Sequence, residues 1–169
     1  MLRGPARGHH DTSEIRVAPG DVAEAMRLLH DDPDLRFELL ADLSGVDTGT
    51  TLEVVYHLWS PNSPDWLRVI ATDLPRDDPR VQSVTFLWKG AEWAEREAYD
   101  MFGIIFEGNR DLRRIYMPPD YASFPLRKDF YLPDDASRSV GEGVRHMEQV
   151  PAQPTVGAGP AATRRARER

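Results

Sequence analysis

Residues 52–59 alternate with a period of two, placing Leu52, Val54, Tyr56 and Leu58 on one side and Glu53, Val55, His57 and Trp59 on the other. Successive side chains of a strand point to opposite faces, so this pattern predicts a half-buried strand. One strand cannot bury a face alone, and alternating or β-branched segments at 36–43, 66–72 and 81–88 supply its neighbours. The connections Gly45-Val46-Asp47-Thr48-Gly49 and Pro61-Asn62-Ser63-Pro64 are short and turn-rich. Short connections join antiparallel strands, so the four segments are expected to form a meander.

Two helices flank these strands. Pro19-Gly20-Asp21 reads as a turn into the first, with Asp21 as N-cap, Glu24 completing a capping-box arrangement, and Val22, Ala25, Met26 and Leu29 on the apolar face. His30-Asp31-Asp32-Pro33 ends it, because proline lacks the donor and disfavours helix in the residue before it. Lys89-Gly90 breaks the fourth strand, and 91–102 reads as the second helix. The expected fold is α+β, an antiparallel meander with helices packed on it over residues 14–107. Residues 1–13 read as a disordered lead. The proline-rich segment 108–135 reads as an extended arm, and 136–169, rich in Ala, Pro, Gly and Arg, as a disordered tail.

The composition narrows the chemistry. With 169 residues and 40% hydrophobic content, one domain with one core is expected. There is no cysteine, so this chain forms no disulfide and offers no thiolate to an iron–sulfur cluster; any redox centre belongs to a partner. A formal charge of -7 argues against nucleic acid as the main partner. No apolar run approaches the roughly 20 residues needed to cross a bilayer, so a soluble, cytoplasmic protein without membrane insertion is expected. Neither GxGxxG nor GxxxxGK[ST] occurs, and the five histidines form no metal motif.

Two stretches hold the ionisable and aromatic groups. On the second helix Ala94, Ala98, Met101 and Phe102 read as the sheet-packing stripe, with Trp93, Arg96, Glu97 and Asp100 on the opposite face. That face is either solvated and tied by Glu92 to Arg96, or a binding surface anchored by Trp93 and Arg96. Glu97 and Asp100 also permit a free-standing hydrolase reading, as an acid/base pair. The arm carries Arg113, Arg114, Tyr116, Tyr121, Phe124, Arg127, Lys128 and Asp129 among its prolines, which suits a segment that wraps a protein partner. Its aromatics could instead stack on single-stranded nucleic acid, against which stand the acids Asp111, Asp120 and Asp129.

Three strings then converge: Glu95-Arg96-Glu97-Ala98-Tyr99-Asp100-Met101-Phe102-Gly103-Ile104, Asp111-Leu112-Arg113-Arg114-Ile115, and Pro125-Leu126-Arg127-Lys128-Asp129. Together they resemble the signature of the respiratory complex I 30 kDa subunit family (the C-type subunits of NADH-quinone oxidoreductase), most strongly over about 92–132. The resemblance implies a cofactor-free α+β subunit whose arm runs over a 49 kDa-type subunit, beside iron–sulfur subunits, in a peripheral assembly on the cytoplasmic side of the membrane. FMN and iron–sulfur clusters are then expected in the partner subunits. It implies NADH:quinone chemistry for the whole complex; related subunits occur in membrane-bound hydrogenases. With no fused 49 kDa-like domain, the chain is expected to meet that partner as a separate polypeptide. Where the family commonly has Gly-His-Pro this chain has Gly108-Asn109-Arg110, and where a histidine commonly precedes the Pro-Leu-Arg-Lys run it has Phe124. Roles of those histidines do not carry over.

Overall fold

The computed structural model describes residues 13–62 and 66–131. The lead short of Ser13, the end of the arm past Tyr131 and the whole of the tail lie outside the described residues. The elements run β1 (Ser13–Val17), α1 (Val22–Asp31), β2 (Leu39–Asp47), β3 (Leu52–Trp59), β4 (Trp66–Leu74), β5 (Arg80–Gln82), α2 (Ala91–Phe102) and β6 (Ile105–Glu107). They form the α+β fold expected, with a four-stranded sheet in the order β1-β4-β3-β2 and a separate two-stranded sheet, β5-β6.

β2, β3 and β4 are the predicted antiparallel meander. The alternation in β3 sets its orientation, since Leu52, Val54, Tyr56 and Leu58 are fully buried and the residues between them are not. Their inward face meets Val22, Met26 and Leu29 of α1, Leu43 of β2, and Val69 and Ala71 of β4 in one core. β1 adds a parallel edge to β4, with Ile15 opposite Val69. That strand was not legible in advance, because four of its five residues are exposed and carry no alternating pattern.

Three expectations need correction. The fourth predicted strand, 81–88, is a strand only through Gln82. Beyond it the Ser83 amide donates to the Glu107 carbonyl, and those of Leu87 and Trp88 to the Val84 carbonyl, so the backbone coils into a turn. The short β5 therefore leaves the meander and pairs in parallel with β6, and α2 supplies the crossover that a parallel pair requires. The segment Gly45–Asp47 is strand and not turn; the reversal falls on Thr48–Thr51, where the Thr48 amide donates to the Thr51 carbonyl. Asp21 does precede α1, but its side chain caps nothing. A single 3₁₀ turn over Pro19–Asp21 leads directly into the helix, which holds Asp21 in helical backbone geometry and not the extended one an N-cap side chain needs.

α2 lies against the meander so closely that Gly45 of β2 has no room for a β-carbon, which would overlap the Phe102 ring. Its C-terminus is closed by Gly103 at φ 75°, whose amide donates to the Tyr99 carbonyl. A β-carbon there would also strike the Phe124 ring, so glycine is needed twice over.

Candidate functional site

α2 is buried on more of its circumference than one stripe allows. Ala91, Glu95, Ala98 and Met101 are buried, and so are Arg96 and Asp100 from the face read as outward. The cause is the segment after β6. Over residues 108–131 it has no helix or strand, as its prolines dictate, but it folds back over α2 in successive turns.

Asp100 is the first anchor of that segment. Its Oδ2 accepts the backbone N–H groups of Ile115 (3.0 Å), Tyr116 (2.6 Å) and Met117 (3.1 Å), while Oδ1 pairs with Nη1 of Arg114 at 2.7 Å. Burial pushes the Asp100 carboxyl up, but these donors outweigh it and hold the group below the usual carboxylate range. Arg114, with its side chain 3% exposed, also donates to the carbonyls of Asp100, Tyr121 and Ser123. One ion pair thus fixes both the start of the arm and its return.

The far end is anchored by Asp47, at the end of β2. It accepts the Lys128 amide at 2.8 Å and the Gly49 amide at 2.7 Å, and it pairs with Arg76, which reaches on to Asp129 at 2.8 Å. Burial raises this carboxyl too, and the amides and Arg76 overcome it. Between the anchors, Phe124 lies with Arg114 on its ring at 5.1 Å and Arg127 at 4.7 Å. Arg127 donates to the carbonyls of Phe102 and Arg76 at 2.7 and 2.9 Å, placing its charge at the negative end of α2. The Phe124 ring is therefore in contact with two guanidinium groups.

A third carboxylate belongs to the same helix. Glu95, fully buried, accepts the Val84 amide, Ser83 Oγ and Asn109 Nδ2, each at 2.8 Å. Burial raises its pKa against these three bonds. Asn109 thus joins the end of β6 to α2. Near Glu95, Tyr56 has a buried hydroxyl with no hydrogen-bond partner among the described residues.

The predicted residues therefore divide. Asp100, Arg114, Phe124 and Arg127 hold the arm to the body, and Tyr121 lies half-buried beside Arg114. Arg96 does not pair with Glu92; it donates to the Arg113 carbonyl at 3.2 Å, pairs with Asp111 at 3.5 Å and lies on the Trp93 ring at 4.5 Å. Trp93, Glu97, Arg113, Tyr116 and Lys128 remain exposed. The acid/base pairing of Glu97 with Asp100 is not formed, because Asp100 is saturated by its donors and Glu97 is bound by the Tyr116 hydroxyl at 3.2 Å. Among the described residues no group of three or more His, Asp or Glu side chains could hold a metal ion. Sequence reasoning missed Glu95, Asp47 and Arg76. Glu95 had left a signal: it occupies the apolar stripe, at helical spacing from Ala91 and Ala98.

Comparison with known proteins agrees with this architecture. The family model described as respiratory-chain NADH dehydrogenase, 30 Kd subunit, matches residues 15–136. The second NADH-quinone oxidoreductase C subunit of Rhizobium etli (strain CIAT 652) is 44% identical over 126 residues, covering 73% of this chain and 66% of that protein. The NADH-quinone oxidoreductase C subunit of Roseiflexus sp. (strain RS-1) is 43% identical over 131 residues, 76% of this chain and 74% of that one. Its counterpart in Salinispora arenicola (strain CNS-205) is 43% identical over 122 residues, but the chain spans only 49% of its length. A solved structure titled as the membrane-bound sulfane sulfur reductase, an archaeal respiratory membrane complex, contains a chain that superposes with a TM-score of 0.60. That chain is 27% identical, with 77% of each covered.

Proposed function

The chain belongs to the 30 kDa subunit family of respiratory-chain NADH dehydrogenase, and from that membership we propose that it is a non-catalytic subunit of a proton-translocating NADH:quinone oxidoreductase. In this reading it docks on a 49 kDa-type subunit beside iron–sulfur subunits, which carry the FMN and clusters, and supports electron transfer to quinone without touching the electrons. It sits peripherally on the cytoplasmic face of the membrane. No helix among the described residues is long and apolar enough to cross one.

One observation supports docking over chemistry. The buried carboxylates Asp47, Glu95 and Asp100 are occupied in holding the chain's own backbone and arginines, whereas Trp93, Tyr116, Leu126 and Tyr131 are large, exposed and located on α2 and the arm. Exposed aromatics on a rigid support are what binding hot spots are made of. The test is purification of the tagged chain from solubilised membranes. Co-migration with flavin- and iron–sulfur-bearing polypeptides and NADH-dependent quinone reduction is expected; a chain that migrates alone overturns the reading.

The sulfane sulfur reductase neighbour favours one further reading, in which the chain serves the equivalent place in a membrane complex with another electron donor or acceptor. Retention of the complex without NADH-dependent turnover would select it.

A further inference from the structure

Glu97 is an exposed carboxylate without an ion-pair partner among the described residues; its one hydrogen bond comes from Tyr116. The nearby cations are committed elsewhere, Arg96 and Arg113 both to Asp111. Trp93 lies one helical turn before Glu97, on the same face of α2. The Arg96 guanidinium covers one face of its ring, and because the Arg96 side chain is 5% exposed, that face is the inner one. The outer face is open, with Trp93 62% exposed and Tyr116, beyond Glu97, 63% exposed. An unpaired carboxylate thus sits between two open aromatic rings, one fixed by Arg96 and the other by its bond to Glu97.

Resting on the docking reading above, we infer that Trp93, Glu97 and Tyr116 form a receptor for an arginine side chain of a neighbouring subunit. A guanidinium is planar, so it can lie on a ring while its N–H edge pairs with the carboxylate in bidentate fashion. An apolar occupant would bury Glu97 without a partner. Because both rings are already held, little side-chain entropy is lost on binding.

The experiment challenges membrane-assembled complex with rising salt and measures how much of the chain stays bound. Glu97→Gln is expected to leave at lower salt than wild type and to dissociate about tenfold faster or more at fixed moderate salt, because it removes the charge but keeps the shape. Glu97→Lys should leave sooner still. Glu24→Lys, the same charge change at an exposed position of α1, should match wild type. Melting temperatures of the free variants show that each folds. If both Glu97 variants follow the wild-type salt profile, the receptor is overturned while docking stands; if wild type itself is absent from the complex, docking is overturned and the receptor with it.

Discussion

Glu95 and Asp100 lie a little over one turn apart on α2, and both are fully buried. Among the described residues Glu95 is met only by neutral donors, an amide N–H, a hydroxyl and a carboxamide. Asp100 is met by three amide N–H groups and a buried guanidinium. Burial acts on both in the same direction, and it wins at Glu95 and loses at Asp100. A buried acid whose donors, the Tyr116 amide foremost and then the Arg114 guanidinium, outweigh burial therefore becomes an anchor held below the usual carboxylate range, whereas one whose three neutral donors do not outweigh it becomes a joint held above that range. The first holds the arm to α2, and the second holds the end of each strand of the small sheet to the same helix.

The largest expected effect comes from breaking the anchor. Asp100→Asn leaves Arg114 buried without its carboxylate, and uncompensated buried charges of this kind cost about 3–5 kcal/mol. Denaturant unfolding measures the loss. Hydrogen exchange should show the amides of Ile115, Tyr116 and Met117 losing protection before those of β3. Because the folded pKa of Asp100 is depressed, its contribution is present above the ordinary carboxylate range, near pH 4, and disappears as pH falls through the folded value. The stability gap between wild type and Asp100→Asn should close on acidification.

Glu95→Gln is expected to cost less, about 1–3 kcal/mol, since the amide keeps the shape and strands no cation. Its pH dependence has the opposite sign. A raised folded pKa gives stability that is full below the unfolded value and is lost as pH rises through the folded one. The gap between wild type and Glu95→Gln should therefore narrow from pH 4 towards neutrality while the Asp100→Asn gap does not. Two gaps moving in the same direction would break the distinction between anchor and joint.

The meander was legible because half-buried strands must alternate, and β3 does so without exception. α2 was legible as a helix, but only the apolar stripe obeys a pattern that sequence can display. Arg96 and Asp100 look solvated in sequence because their cover is not a sheet or a helix. It is an irregular segment whose amides come to Asp100 from more than a dozen positions away, a contact that no local periodicity encodes. The same blindness hid Asp47, whose partners Arg76 and Lys128 lie on two distant loops. Strand 81–88 failed for a related reason: its β-branched residues suggest a strand, but Val81 and Val84, which an extended strand would turn to opposite faces, are both buried, and the Val84 amide belongs to Glu95 and not to a neighbouring strand.

The smallest effect is expected at Arg127, which sharpens the contrast from the arm's other end. Unlike Arg114, it has no carboxylate within ion-pair range among the described residues; it answers the carbonyls of Phe102 and Arg76 and lies on Phe124. Burial pulls its pKa down, with the nearby Arg76 acting in the same direction. Arg127→Lys keeps a charge at the C-terminal end of α2, but a single ammonium cannot reproduce the planar contact with Phe124 and the fork that joins two carbonyls. The loss should be about 1 kcal/mol, one hydrogen bond's net worth, because no buried counter-charge is left behind. Denaturant midpoints for Arg127→Lys and Asp100→Asn under the same conditions decide the matter. A lysine variant as destabilised as Asp100→Asn would mean that counter-charge is not what separates the arm's anchors, and that stacking on Phe124 carries the arm instead.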